Sequence, residues 1–288
     1  MSTAQPYRRP LRVRARRTAR SVLVYALVVG VCLIVLVPFL WLVTSSIRPA
    51  EELYETPPTW LPRTLTIDAY GTALSTFARP LINSAAYGFA AAGIGLLLGV
   101  PAAYSLARYR YRGKRIVVGS LLVSQMLPIV LLLIPLYLVF SQIGLYNTPL
   151  GLVIAFTALT LPFSMLLLRS YFATLPRDLE EQAMVDGCTR VGALVRIVVP
   201  LSLPVIAATA LMSVVLVWND VLITVFMTND TRIQTASVAL YNLFNLRAGA
   251  ADRVVLLAGS VLLTLPVVAL FAFLQRYMVK GITLGGVK

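Results

Sequence analysis

Six long stretches of this chain carry almost no charge, and a chain built that way has few ways to fold. They run Val22–Val43, Leu81–Ala107, Ile116–Phe140, Gly151–Leu168, Leu203–Met227 and Val254–Leu274. A helix needs about 20 apolar residues to cover the roughly 30 Å hydrocarbon layer of a bilayer, and each stretch is close to that length. None alternates apolar and polar residues as a barrel strand does, and backbone facing lipid must satisfy its own hydrogen bonds. The expected class is therefore all-α, a polytopic membrane bundle of six transmembrane helices over residues 22–275. A basic tail at 1–21 precedes it and a short tail at 276–288 follows. Composition agrees, since 59% of the residues are hydrophobic and only 12% charged, about half the charged share of a soluble domain.

The cations are sorted between the two sides of such a bundle. Nineteen of the 25 lysines and arginines fall in the N-terminal tail, the turn from Arg108 to Arg115, the stretch from Arg169 to Pro200 and the C-terminal tail. The other six, Arg48, Arg63, Arg79, Arg232, Arg247 and Arg253, share the opposite loops with six acids. The excess of Lys and Arg marks the cytoplasmic side, so both termini are expected there. This sorting accounts for the net charge of +14 without a nucleic-acid partner. The tail arginines either engage a partner or anionic lipid, or simply set topology. The first apolar run is longer than a signal-peptide core and lacks an A-x-A pattern at its end, so it reads as a retained anchor.

Several chemistries are excluded by what is missing. There is no histidine, which removes histidine-based triads, histidine metal ligands and a histidine pH switch. Two cysteines, Cys32 and Cys188, do not make a disulfide framework. No span holds a lysine or paired acids, as an intramembrane hydrolase would need. A secondary transporter would place coupling-ion carboxylates near the midplane, and Asp220 is the one acid within a span. No G-x-x-x-x-G-K-[ST] phosphate loop occurs; the single Gly-Lys pair, Gly113-Lys114, is followed by Arg115. This chain does not hydrolyse ATP, and no cofactor or metal is expected on it.

Two patterns inside the spans concern packing. Ala91, Gly95, Gly99 and Ala103 recur every fourth residue and put small side chains on one stripe, where a second helix can come close. Pro101, Pro128, Pro135, Pro162 and Pro266 lie in or beside spans, where each removes a helix hydrogen bond and can bend the axis.

The stretch with most information is the loop from about 175 to 204, LPRDLEEQAMVDGCTRVGALVRIVVPLSLP. Asp178 and Glu181 form a D-x-x-E pattern that reads as a capping box opening a short helix, which Gly187 ends. Thr189 can cap a second helix, with Val191, Leu194, Val195 and Val198 on one side before Pro200 and Pro204. The expected element is a helix, a turn and a helix on the cytoplasmic face, exposing Glu180 and Glu181 beside Ala183 and Met184 as a knob for a partner with a basic groove. An amphipathic helix resting on lipid is the alternative, but anionic lipid repels a helix carrying Asp178, Glu180, Glu181 and Asp186.

These residues carry a resemblance. Glu181-Gln182-Ala183, Gly187, Ile197 and Pro200 resemble the E-A-A-x3-G-x9-I-x-L-P loop of inner-membrane permeases in binding-protein-dependent ABC importers, with Gln182 for the first alanine and Val199 for the leucine. Trp218-Asn219-Asp220 and the ending Gly281-Ile282-Thr283-Leu284-Gly285-Gly286-Val287-Lys288 are similar to carbohydrate permeases, in particular the second subunit of the maltose type. The resemblance implies a bacterial-type cytoplasmic membrane, a heterodimer with a second permease subunit, two ATPase subunits that carry ATP and Mg, and an extracytoplasmic sugar-binding protein. It also implies an ATPase-coupling surface built from Glu180, Glu181, Gln182, Ala183, Asp186, Gly187, Ile197 and Pro200. In it Glu181 meets basic residues of the ATPase, Ala183 allows close approach and Gly187 holds the turn.

The substrate path is less defined. Trp218 can stack on a sugar ring while Asn219 and Asp220 hydrogen-bond hydroxyls, or the triplet can cap helix packing near the interface. Gln125, Asn83 and Tyr87 are the other polar residues near helix interiors. Import of a non-sugar solute, or a membrane scaffold that transports nothing, are the alternative functions.

Overall fold

The computed structural model describes residues 11–245 and 249–285. The side chains of the tail arginines, Arg247 and the last three residues lie outside that description. Twelve α-helices and no strand are found among the described residues. Four helices are long and apolar enough to cross a bilayer, and the count reaches six when each of two bent pairs is taken as one span.

The first span is α1 (Leu11–Ser46), which runs without interruption from the basic tail through the apolar stretch. Its apolar side chains are exposed from Val22 to Leu40, and its main neighbour in the chain is the last helix. Arg48, just past its end, is buried and donates to the carbonyl oxygens of Thr44, Thr59 and Trp60. One of the charges read from sequence as a loop cation is thus an internal staple for the segment 49–67.

The second span, α2 (Asp68–Arg108), starts thirteen residues before the apolar run that announced it. The added turns are apolar on one face only, where Ala73 and Phe77 are fully buried; averaged hydropathy does not register such a face. The helix is central to the bundle. Its Gly95 and Gly99 face Thr160, Leu161 and Met165 of α5 (Pro149–Thr174), and its Gly88 lies 3.3 Å from Val214 of α9 (Leu203–Trp218) where a Cβ would sit. The small-residue stripe is therefore what lets α2 pack closely between two partners.

The apolar run from Ile116 to Phe140 forms two helices, α3 (Lys114–Met126) and α4 (Ile129–Gln142), bent by 105°. The break falls at Leu127–Pro128. A residue before proline is driven to extended backbone, and Leu127 has ψ 125°, so of the several prolines this one breaks the span. Pro101, Pro135, Pro162 and Pro266 remain inside helices.

After α5 come α6 (Asp178–Val185), α7 (Arg190–Ala193), a π-helical turn at Leu194–Val198 and α8 (Val199–Leu201). The widened turn immediately precedes Pro200, which has no N–H to give and whose ring crowds the turn before it. The segment Arg190–Leu201 then meets α9 (Leu203–Trp218) at 77°. The fifth apolar run does not continue as one helix to Met227. It stops at Trp218, and α10 (Leu222–Met227) follows separately. An amphipathic α11 (Ala236–Asn245) and the last span, α12 (Ala250–Gly285), complete the described residues.

Three buried clusters tie these elements together. Tyr87, Leu133, Phe156, Val217 and Met227 join α2, α4, α5, α9 and α10. Phe77, Ala236, Ala239, Ala258 and Leu263 join α2, α11 and α12 at one end of the bundle. Tyr104, Leu168, Phe172, Leu194 and Val198 seat the 175–202 segment at the other. In the second cluster a methyl group at Gly259 would overlap the buried Phe77 ring. Gly259→Val is expected to cost about 1–3 kcal/mol by overpacking, read as a lower thermal unfolding midpoint in detergent than for the same substitution at Gly30, where a Cβ would meet nothing within 4 Å.

Candidate functional site

The loop between α5 and α9 forms the expected helix, turn and helix, and its local chemistry explains both ends. Cys188 N–H donates to Ala183 O at 2.9 Å and Gly187 N–H to Met184 O at 3.1 Å. This pair of bonds is a Schellman closure, and it needs the left-handed backbone that Gly187 adopts at φ 88°. Thr189 then caps the next helix, its hydroxyl accepting from Gly192 N–H at 3.1 Å. The capping box at the start of α6 does not form. The helix begins at Asp178 itself, after Arg177, with no side-chain cap, so Asp178 is already inside the first turn. Three acids there, Asp178, Glu180 and Glu181, still complement the positive end of the helix dipole.

The two adjacent glutamates, read from sequence as a jointly exposed pair, differ. Glu180 is buried at 7% exposure. Its carboxylate accepts from the Tyr104 hydroxyl at 2.6 Å and pairs with the Arg108 guanidinium at 2.5 Å. Arg108 also donates to Leu175 O at 3.0 Å. The Tyr104 ring stands edge-on to Phe172 and Tyr109, and the Arg190 guanidinium lies 5.4 Å from the centre of the Tyr109 ring. The start of the loop is thereby clamped to the last turn of α2 by an ion pair removed from water, where electrostatic attraction is weakly screened.

Glu181 lies at the rim of the cavity it lines with Arg177 and Arg190 and is exposed, as are Gln182, Met184, Val185, Asp186, Gly187 and Pro200. Ala183 is buried beneath them, contrary to its expected exposure, and Ile197 is half-buried. In the second helix Leu194 and Val198 turn inward while Val191 and Val195 are open. The result is a rigid, clamped element with acidic and apolar groups on its free face. Arg108 and Tyr104 were not singled out from sequence. The signal available was their four-residue spacing, which sets both on one face of α2 at its end.

The polar residues considered for a substrate path separate into distinct roles. Asn83 donates to Arg232 O and Gln234 O at 2.9 and 3.0 Å; Tyr87 donates to Ile233 O, and Ser84 accepts from Ala236 N–H. These side chains fix the segment before α11 onto α2. Asp220 caps α10, its carboxylate accepting from the N–H groups of Ile223 and Thr224 at 3.4 and 3.2 Å. Asp220→Ala is expected to cost about 1 kcal/mol, as lost helix caps do, seen as faster amide exchange in Leu222–Met227. Gln125 is exposed on α3 just before the bend and hydrogen-bonds to nothing among the described residues. Trp218 and Asn219 remain together. They line a cavity of about 700 Å³ with Phe39, Tyr241, Phe244 and Thr264.

A polar knot opposite the loop was also missed. Asn147, at φ 56°, accepts through its side-chain oxygen from Thr228 Oγ1, Asn229 N–H and Asp230 N–H, joining the α4–α5 connection to the end of α10. Asparagine tolerates the left-handed region better than other side chains do, which was the only local sign of it. Among the described residues no cluster of acids and cysteines forms a metal site.

Comparison with known proteins gives a consistent picture. Residues 93–284 match the family model described as "Binding-protein-dependent transport system inner membrane component". The trehalose transport system permease protein SugB of Mycobacterium tuberculosis is 32% identical over 276 residues, covering 95% of this chain and 99% of that protein. The sulfoquinovosyl glycerol transport system permease protein SmoH of Agrobacterium fabrum is 32% identical, covering 88% and 89% respectively. The diacetylchitobiose uptake system permease protein DasC of Streptomyces coelicolor is 29% identical, covering 87% and 91%. Among solved structures, a chain of a bacterial ABC transporter involved in the import of alginate superposes with a TM-score of 0.79 at 23% identity, covering 95% of this chain and 99% of that one.

Proposed function

Because this chain belongs to the family of binding-protein-dependent transport system inner membrane components, we propose that it is the permease subunit of an ATP-driven importer for a sugar or sugar derivative. Support for the sugar comes from relatives named for trehalose, sulfoquinovosyl glycerol and diacetylchitobiose. Support for the coupling mechanism comes from one observation, the clamped loop with Glu181 on its open face.

In this reading a second permease completes the membrane pathway, two ATPase subunits bind ATP and Mg, and an extracytoplasmic protein delivers substrate. The chain has no phosphate loop of its own, so energy arrives mechanically. ATPase closure moves the clamped element, and the helices behind it rock between two openings. Both termini and the 175–202 segment face the cytoplasm by the distribution of Lys and Arg. Sugar contact within this chain is assigned to Trp218 and Asn219 at their cavity, since an aromatic face beside an amide suits a ring bearing hydroxyls. Asn83 and Asp220 are assigned to structure.

Two measurements test the reading. Proteoliposomes holding the four-part complex and its binding protein should accumulate a labelled oligosaccharide or glycoside only when ATP is enclosed; accumulation of amino acids or metals alone would overturn the sugar assignment. Cys188, half-buried beside Gly187, should crosslink to the ATPase through a short thiol reagent. Absence of that product in an actively transporting complex would move the contact elsewhere.

A further inference from the structure

A second charged surface lies on the same end of the bundle as the loop and takes no part in the clamp. Arg110, Lys114, Arg115 and Arg169 line one cavity of about 630 Å³ between the start of α3 and the last turns of α5, and no acid lines it. Lys114 donates to Tyr109 O at 3.1 Å. None of the four has an ion-pair partner among the described residues. Arg169 Nε is sealed from solvent and donates to nothing there.

This arrangement is unfavourable as it stands. Four like charges repel, and Lys114 and Arg115 sit in the first turn of α3, where the helix dipole disfavours cations. A buried donor without an acceptor adds its own desolvation cost. An anion with several acceptor oxygens would reverse each of these terms. Below the cations the same cavity continues along Val118 and Leu122. Leu122 is 52% exposed, and neighbouring Ile116 is 77% exposed. An anionic top above an apolar flank matches a phospholipid, whereas an acidic protein segment would leave the apolar flank unused.

We propose that this cavity binds the phosphate headgroup of an anionic membrane lipid, with Arg110, Lys114, Arg115 and Arg169 around the phosphate and an acyl chain along Val118 and Leu122. The inference requires that the chain span a membrane and is independent of what it imports. It is also separate from any role of the N-terminal arginines.

The test uses the complete transporter complex, delipidated in detergent, titrated with phosphatidylglycerol or phosphatidylcholine and weighed by native mass spectrometry. Phosphatidylglycerol should be retained and phosphatidylcholine not. Arg115→Gln with Arg169→Gln should weaken retention roughly 25-fold, about fivefold for each cation removed, while Arg63→Gln on the opposite side changes nothing. Leu122→Trp, which keeps every charge and fills the apolar flank, should weaken it as well. Equal retention of the two lipids, or full retention in both site variants, overturns the proposal. Displacement by millimolar inorganic phosphate would make a free anion the ligand and overturn it too. Retention by the permease pair stripped of its ATPase subunits, with none by the complete complex, would give the surface to an acidic protein segment and overturn the proposal as well.

Discussion

Glu181→Lys is expected to leave the protein folded in the membrane, with substrate delivery intact, and to abolish stimulation of ATP hydrolysis by the binding protein. The expectation rests on the contrast between two neighbouring carboxylates. The Glu181 side chain is exposed and makes no hydrogen bond or ion pair among the described residues, so its replacement removes from this chain only a helix-dipole contribution of less than about 1 kcal/mol. Its contribution must come from a partner. Losing a charge pair buried at an interface costs on the order of 2–5 kcal/mol, and reversal adds repulsion. Stimulated ATPase activity should therefore fall by roughly 30-fold or more, while the basal rate of the ATPase pair persists. Undiminished stimulation would remove Glu181 from the contact.

The opposite pattern is expected one residue earlier. Glu180→Ala or Arg108→Ala leaves a buried charge without its counter-ion, which costs about 3–5 kcal/mol, a large part of the roughly 5–15 kcal/mol margin of a typical protein. The measurement is the unfolding midpoint of the detergent-solubilised complex, together with the yield of protein in the membrane. Glu180→Gln should be milder, because the Tyr104 hydroxyl, now 2.6 Å from the carboxylate, can still donate to the amide. Arg108→Met combined with Glu180→Leu should recover much of the loss, since an apolar pair of similar volume replaces two desolvated charges. Arg63→Ala is the control, as its ion pair with Glu55 has side chains 68% and 39% exposed and surface pairs contribute little. Equal effects at Arg108 and Arg63 would remove the clamp from the account of stability.

Much of this arrangement was legible in the sequence because it depends on local signals. Length and hydropathy gave the spans, and Gly187 and Thr189 gave the turn and the second helix, because a left-handed residue and a hydroxyl cap act within a few positions. Other features depend on distant contacts. Nothing in the order D-L-E-E-Q tells which glutamate faces inward; that is set by Tyr104, 76 residues from Glu180. The bend at Leu127–Pro128 was one of five candidate proline sites, and four of the five stayed helical. The end of α9 at Trp218 was hidden because the residues on both sides of the break are equally apolar. The separate duties of Asn83, Trp218, Asn219 and Asp220 could be told apart only once their neighbours were known.

The continuity of α2 carries one more consequence. At 41 residues and about 1.5 Å per residue, it is about 60 Å long. It carries Asn83, Ser84 and Tyr87 against the segment before α11, and Tyr104 and Arg108 against the loop. The two groups of contacts are therefore in fixed rotational phase. Inserting or deleting a single residue between Tyr87 and Tyr104 would turn one group by about 100° relative to the other, so that both could not be satisfied at once. Exposed connections outside the 175–202 segment can change length at small cost, but this interval cannot. Its residue count is part of the mechanism in the way that the tooth count of a gear is.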